Sequence, residues 1–441
     1  MKTTITILSL LFIFGSVKGQ STAPEEYQTA LNEKLEDIFS TSIIPGISAS
    51  VYFKDMGEWS GVAGISYDEV AIDTNMLFGM ASNTKLFTAV ICLKMASHGY
   101  FTLEDPISMW IPDFQYVDPN ITVKQLLQHN SGLNDFINNT DLFPGQILTN
   151  PTKIWTPEET LAYILEPITT PEDGIYYSNA NYVLAAMVLE SATGLKYNDL
   201  LRDSIFEPLG LKDIFIDGFE EINLEMAHPF LFGTDYSETS RTALGTITWA
   251  AGAIVTKPST LTKWYDEVFN QSFLDQDILN QIMDFVEWPE DPEMKMMGLG
   301  LYQLNINDRL YYGHGGRTIG YSSYTLFDVE NGNSINVATN EFLSDALTIA
   351  VALAEKSNEL SNTETNVKDL EEEISFYPNP VSHYLTIGKH DHLDIYNAEG
   401  KKVLSSNGRS TLSTKSLSAG IYYLKIQKDQ KINTHKLVVN H

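Results

Sequence analysis

Ser82-Asn83-Thr84-Lys85 is the one Ser-x-x-Lys in this chain, and it opens an apolar run from Leu86 to Ala96 that reads as a buried helix. A serine at a helix start and a lysine one turn later share a face. That places a hydroxyl beside an amine able to take its proton, provided the amine is neutral. Burial and a helix N-terminus both disfavour an ammonium. The same four residues also fit an ordinary N-terminal serine and a lysine whose stem lies along apolar surface.

Two further groupings bear on the choice. In Tyr177-Ser178-Asn179 the phenol can relay a proton between nucleophile and leaving group if nearby positive charge lowers its pKa. The Asn179 amide can donate to a substrate carbonyl and accept from Lys85. The spacing recurs at Tyr377-Pro378-Asn379, read as a strand-edge turn. His314-Gly315-Gly316 stands at the end of a predicted edge strand. Its glycines let a substrate backbone lie close, and the Arg317 N–H can join that of Ser82 in an oxyanion hole. His314 can donate to a substrate carboxylate or tune Tyr177. Taken alone, the segment also reads as a glycine-rich turn with a surface histidine.

The elements that position these residues follow from periodicity. Tyr27, Leu31, Leu35 and Ile38 fall at helical spacing. Residues 47–53 and 59–65 are strand-like, joined by a turn at 54–57. Residues 103–290 read as helices and loops, with helices over 123–129, 157–165 and 182–192, the last stopped by Gly194. Residues 299–306 and 309–314 form a hairpin around Asn307-Asp308, and 322–329 and 334–339 another around Asn331-Gly332. A helix from Asp345 to about Leu360 follows. The expected fold is α+β: an antiparallel sheet flanked by helices, plus an all-helical lobe. Residues 361–373 read as a polar linker. Residues 374–441 read as a small β-sandwich of short alternating strands.

The chain of 441 residues is 43% hydrophobic and 19% charged, a globular composition with a net charge of -29. Lys2 and Lys18 make the first nineteen residues basic, and residues 374–441 hold nine Lys/Arg against four Asp/Glu. The span 20–373 therefore carries the whole acidic excess. Such a surface repels nucleic acid and anionic lipid. The single cysteine, Cys92, excludes an internal disulfide and lies in the apolar helix. No Cys/His cluster has metal spacing, and no metal or organic cofactor is expected. Residues 1–19 read as a secretory signal peptide, and no later segment is apolar enough to span a membrane.

FGMASNTKLFTAVICLKM, ITVKQLLQHNSGL, GIYYSNANYVLAAMVLESATG and GHGGRTIGYSS occur in that order. Together they resemble the serine β-lactamase and penicillin-binding superfamily, nearest its class C β-lactamase-like branch of D-alanyl-D-alanine carboxypeptidases, D-aminopeptidases and esterases. The resemblance spans about residues 25–357. It implies Ser82 as acylated nucleophile, Lys85 as general base, Tyr177 as proton shuttle and Asn179 as a substrate-amide contact. His314, Gly315 and Gly316 then line the substrate strand, and Arg317 either meets a substrate carboxylate or is a charge near the site rim. His129 belongs to the second segment and is read as structural. β-Lactamases of this superfamily usually carry Lys-Thr-Gly at the third motif. His-Gly-Gly here favours a peptidase or esterase.

FYPNPVSHYLTI, IYNAEGKKV, LSAGIYYLKI and a final HKLVV strand resemble the type A C-terminal sorting domain of the type IX secretion system. This implies export through the periplasm to the surface or medium, with the secretion machinery as partner and the tail removed or used for attachment. The expected function is an exported serine hydrolase acting on a small-molecule or peptide ester or amide through an acyl-enzyme. The alternative is an inert surface protein using the same fold to bind cell-wall peptides.

Overall fold

The computed structural model describes residues 22–441 apart from 55, 171–173, 289–295, 371–375, 378–380, 382–383, 388–389, 399, 410, 429–430 and 441. The expected signal peptide lies outside the described residues. Beyond it, a nine-stranded sheet organises the chain up to Leu360, and all its pairings are antiparallel. Its long strands are β1 (Gly46–Phe53), β2 (Gly57–Tyr67), β3 (Tyr302–Ile306), β4 (Arg309–Thr318), β5 (Tyr321–Asp328) and β6 (Ser334–Thr339). They lie in the order β2-β1-β6-β5-β4-β3, with short strands at both margins. Asn307 and Asp308 take φ of 52° and 62°, and this left-handed pair gives the β3–β4 hairpin its two-residue turn.

Alternation along β1 sorts its residues between two layers. Ile47, Ala49 and Val51 join one core with Tyr27, Leu31 and Leu35 of helix α1 (Glu25–Ser40). Ala346, Ile349, Ala350 and Leu353 of the last helix complete it. Ser50 faces the other layer, where its hydroxyl meets that of Thr262 at 3.2 Å. That second layer is the helical lobe. At its centre helix α2 (Thr84–Ser97) is buried on every side, from Thr84 to Leu93 without a break. Such a helix is held by packing rather than by an amphipathic stripe. Phe87 stacks on Trp264 with centroids 4.4 Å apart. Helix α3 (Asn179–Thr193) packs beside α2 and ends on Gly194 at φ 70°.

Three differences from the sequence reading matter for the site. First, α3 begins at Asn179, not near Tyr182, so Asn179 occupies the first helical turn. Second, His314-Gly315-Gly316 lies inside β4 rather than at the end of an edge strand. β4 is flanked by β5 and β3 and runs on to Thr318. However, β3 stops at Tyr302, opposite Gly313, so β3 leaves residues 314–318 unpaired along that side. The glycines misled because they resemble a turn. In the fold they allow close contact: a Cβ on Gly315 would lie 2.7 Å from the Tyr324 ring. Third, the last helix, α4 (Ala346–Leu370), continues past Leu360 through residues 361–370 of the expected linker. That stretch contains neither Gly nor Pro, so nothing local stops the helix.

The chain divides into two compact units between Leu360 and Ser361. The second unit contains a three-stranded and a four-stranded sheet. Leu385 and Leu412 from one, and Ile395, Leu424 and Leu437 from the other, share a single core. No helix among the described residues is long and apolar enough to cross a membrane.

Candidate active site

Ser82 sits in a single 3-10 turn, Ala81–Asn83, that leads into α2. Ala81 adopts φ 47°, an uncommon conformation for a residue with a Cβ. Asn83 fixes the turn: its Nδ2 donates to Met80 O at 3.1 Å and to Ser323 Oγ at 2.9 Å, while its Oδ1 accepts from Thr325 Oγ1 at 2.8 Å. The Ser82 turn is thereby bonded to β5.

Lys85 lies fully buried at the start of α2. Its Nζ is 3.0 Å from Ser82 Oγ, 2.7 Å from Asn179 Oδ1 and 2.8 Å from Ala251 O. Burial lowers its pKa to about 7, against the opposing pull of Asp135. A neutral amine has two hydrogens and one lone pair. The two carbonyl-type oxygens can take the hydrogens, which leaves the lone pair for the serine hydroxyl.

Tyr177, in the extended segment before α3, donates its hydroxyl hydrogen to Ser82 Oγ at 2.9 Å. The condition attached to it in the sequence reading is not met. Burial, the largest influence, raises its pKa, so it is a neutral phenol and a proton donor. Lys85 Nζ lies 4.9 Å from its ring centre. Asn179 Nδ2 donates one hydrogen to Asp135 Oδ2 at 2.7 Å. This leaves its second amide hydrogen for a substrate carbonyl.

His314 is 1% exposed and stacks on Tyr302 at 4.2 Å. Its Nδ1 is 2.6 Å from Gly315 O. Burial, then the nearby Lys85, lowers its pKa to about 3, so it is neutral. Its ring centre lies 6.2 Å from that of Tyr177. Gly316 faces the Ser82 turn: a Cβ there would fall 2.0 Å from Met80 O. Gly315 and Arg317 turn the other way along the strand. The Arg317 guanidinium lies 5.7 Å from the Phe342 ring and donates at 3.5 Å to Ser344 O. The structure thus gathers Ser82, Lys85, Tyr177, Asn179, His314 and Gly316, and turns the Arg317 side chain to the opposite face. We expect Gly316→Ala to cost about 1–3 kcal/mol through overpacking and to slow modification of Ser82 at least tenfold. Unchanged melting and labelling in that variant would contradict the close approach.

Four supports had no sequence signal. Asp135 lies just beyond the His129 segment, with nothing in its neighbours to single it out. The Ala251 carbonyl is backbone. Tyr302 hydrogen-bonds Tyr177 and opposes in small part the rise that burial gives its pKa. Trp288 lies parallel to Tyr177 with centroids 6.4 Å apart. His129 is fully buried; its ring stacks on Tyr177 at 4.2 Å, and its Nδ1 accepts from Ser178 N at 3.2 Å. Among the described residues no group of three His, Cys, Asp or Glu side chains could hold a metal ion.

The family model described as beta-lactamase matches residues 40–356, and that for the secretion system C-terminal sorting domain matches residues 375–440. The chain is 30% identical over 175 residues to penicillin-binding protein 4* of Bacillus subtilis (strain 168), covering 39% of this chain and 37% of that protein. The chain spans about two fifths of the length of the first curated relatives it matches. Among solved structures it is similar to a D-stereospecific amidohydrolase from Streptomyces sp., with 26% identity and a TM-score of 0.65 over 73% of this chain and 97% of that one. It is also similar to the D-amino acid amidase of Ochrobactrum anthropi SV3 complexed with L-phenylalanine, with 26% identity and a TM-score of 0.67 over 77% and 99%.

Proposed function

The chain belongs to the beta-lactamase family and carries a secretion system C-terminal sorting domain, and from that premise we propose that it is an exported serine hydrolase. One observation carries the reading: Ser82 Oγ lies 3.0 Å from a fully buried amine and 2.9 Å from a phenol that donates to it. In the reaction, Ser82 Oγ bonds to the substrate carbonyl carbon as its proton passes to neutral Lys85. Negative charge collects on the carbonyl oxygen, which the Ser82 and Arg317 N–H groups receive. The C–N or C–O bond then breaks, and the leaving group takes a proton through Tyr177, replaced from the Lys85 ammonium. Water releases the acid by the reverse relay.

We place the hydrolase domain at residues 20–360 and the sorting domain at 374–441, with a signal peptide at 1–19. The sorting domain points to secretion, by the type IX route and with the tail removed or used for attachment. The preferred substrates are D-amino-acid amides, short D-peptides or small esters. The names of the amidase and amidohydrolase neighbours support the first two. The neutral His314, standing where β-lactamases of the superfamily carry lysine, disfavours β-lactams.

A panel of D-amino-acid amides, short esters, cephalosporins and cross-linked peptidoglycan tests the assignment. Turnover is expected among the amides and esters. The base works only when unprotonated, so kcat/KM is expected to rise with pH through about 7, the pKa to which burial brings Lys85. A rate flat from pH 5 to 9, or turnover confined to cephalosporins, overturns the reading.

A further inference from the structure

An asparagine carboxamide can sit either way round, and only one way serves Lys85. With Oδ1 toward Nζ it accepts a hydrogen; reversed, two donors would oppose each other. What breaks the tie is Asp135, 3% exposed, whose Oδ2 accepts from Asn179 Nδ2 at 2.7 Å and from the Asn179 backbone N at 3.0 Å. A reversed amide would set its oxygen against that carboxylate. The backbone N–H is one of the donors at the start of α3 that no helical carbonyl can reach, and the helix dipole favours an anion there. The other oxygen, Oδ1, accepts from Ile137 N at 3.2 Å. Every recorded partner of the two oxygens is thus an N–H donor, an arrangement suited to the ionised form.

We propose that Asp135 is a positioning residue of the reaction: it locks the Asn179 carboxamide with its oxygen on Lys85 and sets a fixed negative charge behind the base. The proposal rests on the acyl-enzyme reading above. It assigns Asp135 two effects, one on orientation and one on charge.

The second effect follows from the surroundings of Lys85. The groups that face the amine are His129 and His314, the phenols of Tyr177 and Tyr182, and Asp135, with the Tyr302 phenol behind Tyr177. Burial holds both imidazoles neutral and raises the pKa of all three phenols. Asp135 is the anion that favours the protonated amine. Burial leaves its own pKa above the usual carboxylate value, although the N–H bonds and Lys85 pull the other way. With the charge present, Lys85 stays close enough to neutrality to pick up the serine proton and return it. Without the charge it is a weaker base that titrates at lower pH.

Labelling of Ser82 by a fluorophosphonate tests this on the full chain without a known substrate. The second-order rate is measured from pH 5 to 9 for the wild type, Asp135→Asn and Asp135→Ala. Asp135→Asn keeps the shape and removes the charge, so the acidic limb is expected to move down by about one to two pH units. Asp135→Ala also frees the carboxamide, with a plateau loss of roughly 10- to 100-fold. Limbs unmoved in both variants, each melting as a folded protein, overturn the proposal. If neither variant folds, NMR of 13C-labelled aspartate in the wild type decides: Asp135 ionised from pH 5 to 9 supports it, and a carboxyl that takes up a proton near neutrality overturns it. Ser82→Ala separates this from failure of the parent reading. A silent Ser82→Ala beside an unmoved Asp135→Asn limb rejects the role of Asp135 alone, whereas labelling that persists in Ser82→Ala rejects both.

Discussion

Ser82→Ala is expected to abolish turnover and to leave no adduct with a fluorophosphonate, while the protein melts as the wild type does. The exchange removes one oxygen from a half-buried position and leaves Asn83, which ties the turn to β5, untouched. The Lys85 amine keeps Asn179 and Ala251 as partners, so no buried charge is stranded. A stability loss beyond about 1 kcal/mol is therefore not expected. The chemical loss is complete because no other hydroxyl stands at hydrogen-bond distance from both Lys85 and Tyr177 among the described residues. Mass spectrometry of the labelled wild type is expected to place the adduct on the peptide that holds residue 82. An adduct elsewhere, or one that survives in the variant, would remove Ser82 from the mechanism.

Lys85→Ala carries the second large effect, a loss of roughly 10²–10⁴ in kcat/KM, the usual contribution of a general base. This variant also strains the fold. Asn179 Oδ1 and Ala251 O lose their common donor in a buried place, at about 1–3 kcal/mol for each acceptor left bare. The kinetic loss has to be read on protein shown to be folded at the assay temperature. Lys85→Arg distinguishes base from spacer. A guanidinium keeps its charge at any working pH and cannot take the serine proton. It is expected to leave activity as low as the alanine variant does. Recovery to near the wild-type rate in Lys85→Arg would show that positive charge, not proton uptake, is what position 85 supplies.

The parts legible in the sequence were those written in local pattern. The β3–β4 hairpin was visible because Asn307-Asp308 suits left-handed backbone, and the α2 helix because its apolar residues run on from Lys85. The pairing of Ser82 with Lys85 needed only the pitch of a helix. Illegible were the contacts that bring distant chain together. Asp135 reaches Asn179 across 44 positions, and a buried carboxylate on an irregular loop leaves no periodic trace. Tyr302 hydrogen-bonds Tyr177 from the start of a strand whose alternation marks it only as core. The extent of β4 was misjudged for a related reason. Glycine favours turns when only the chain is considered, but here the neighbouring Met80 carbonyl and Tyr324 ring leave no room for a side chain. The Arg317 side chain shows the limit of a motif: adjacent residues of a strand point to opposite faces, so nearness in sequence to Gly316 placed only its backbone beside the site.

Cys92 lies in α2, about two helical turns beyond Lys85, with its thiol sealed from solvent and its pKa pushed up to about 12 by burial. A thiolate is the form that exchanges with disulfides, and the closed fold withholds it. In oxidising surroundings this protects the chain from covalent pairing with its own copies or with other oxidised proteins. It also makes the sulfur a built-in clock for breathing of the core: a thiol reagent can reach it only while α2 is parted from its neighbours, so each modification counts one opening of the helix that carries Lys85.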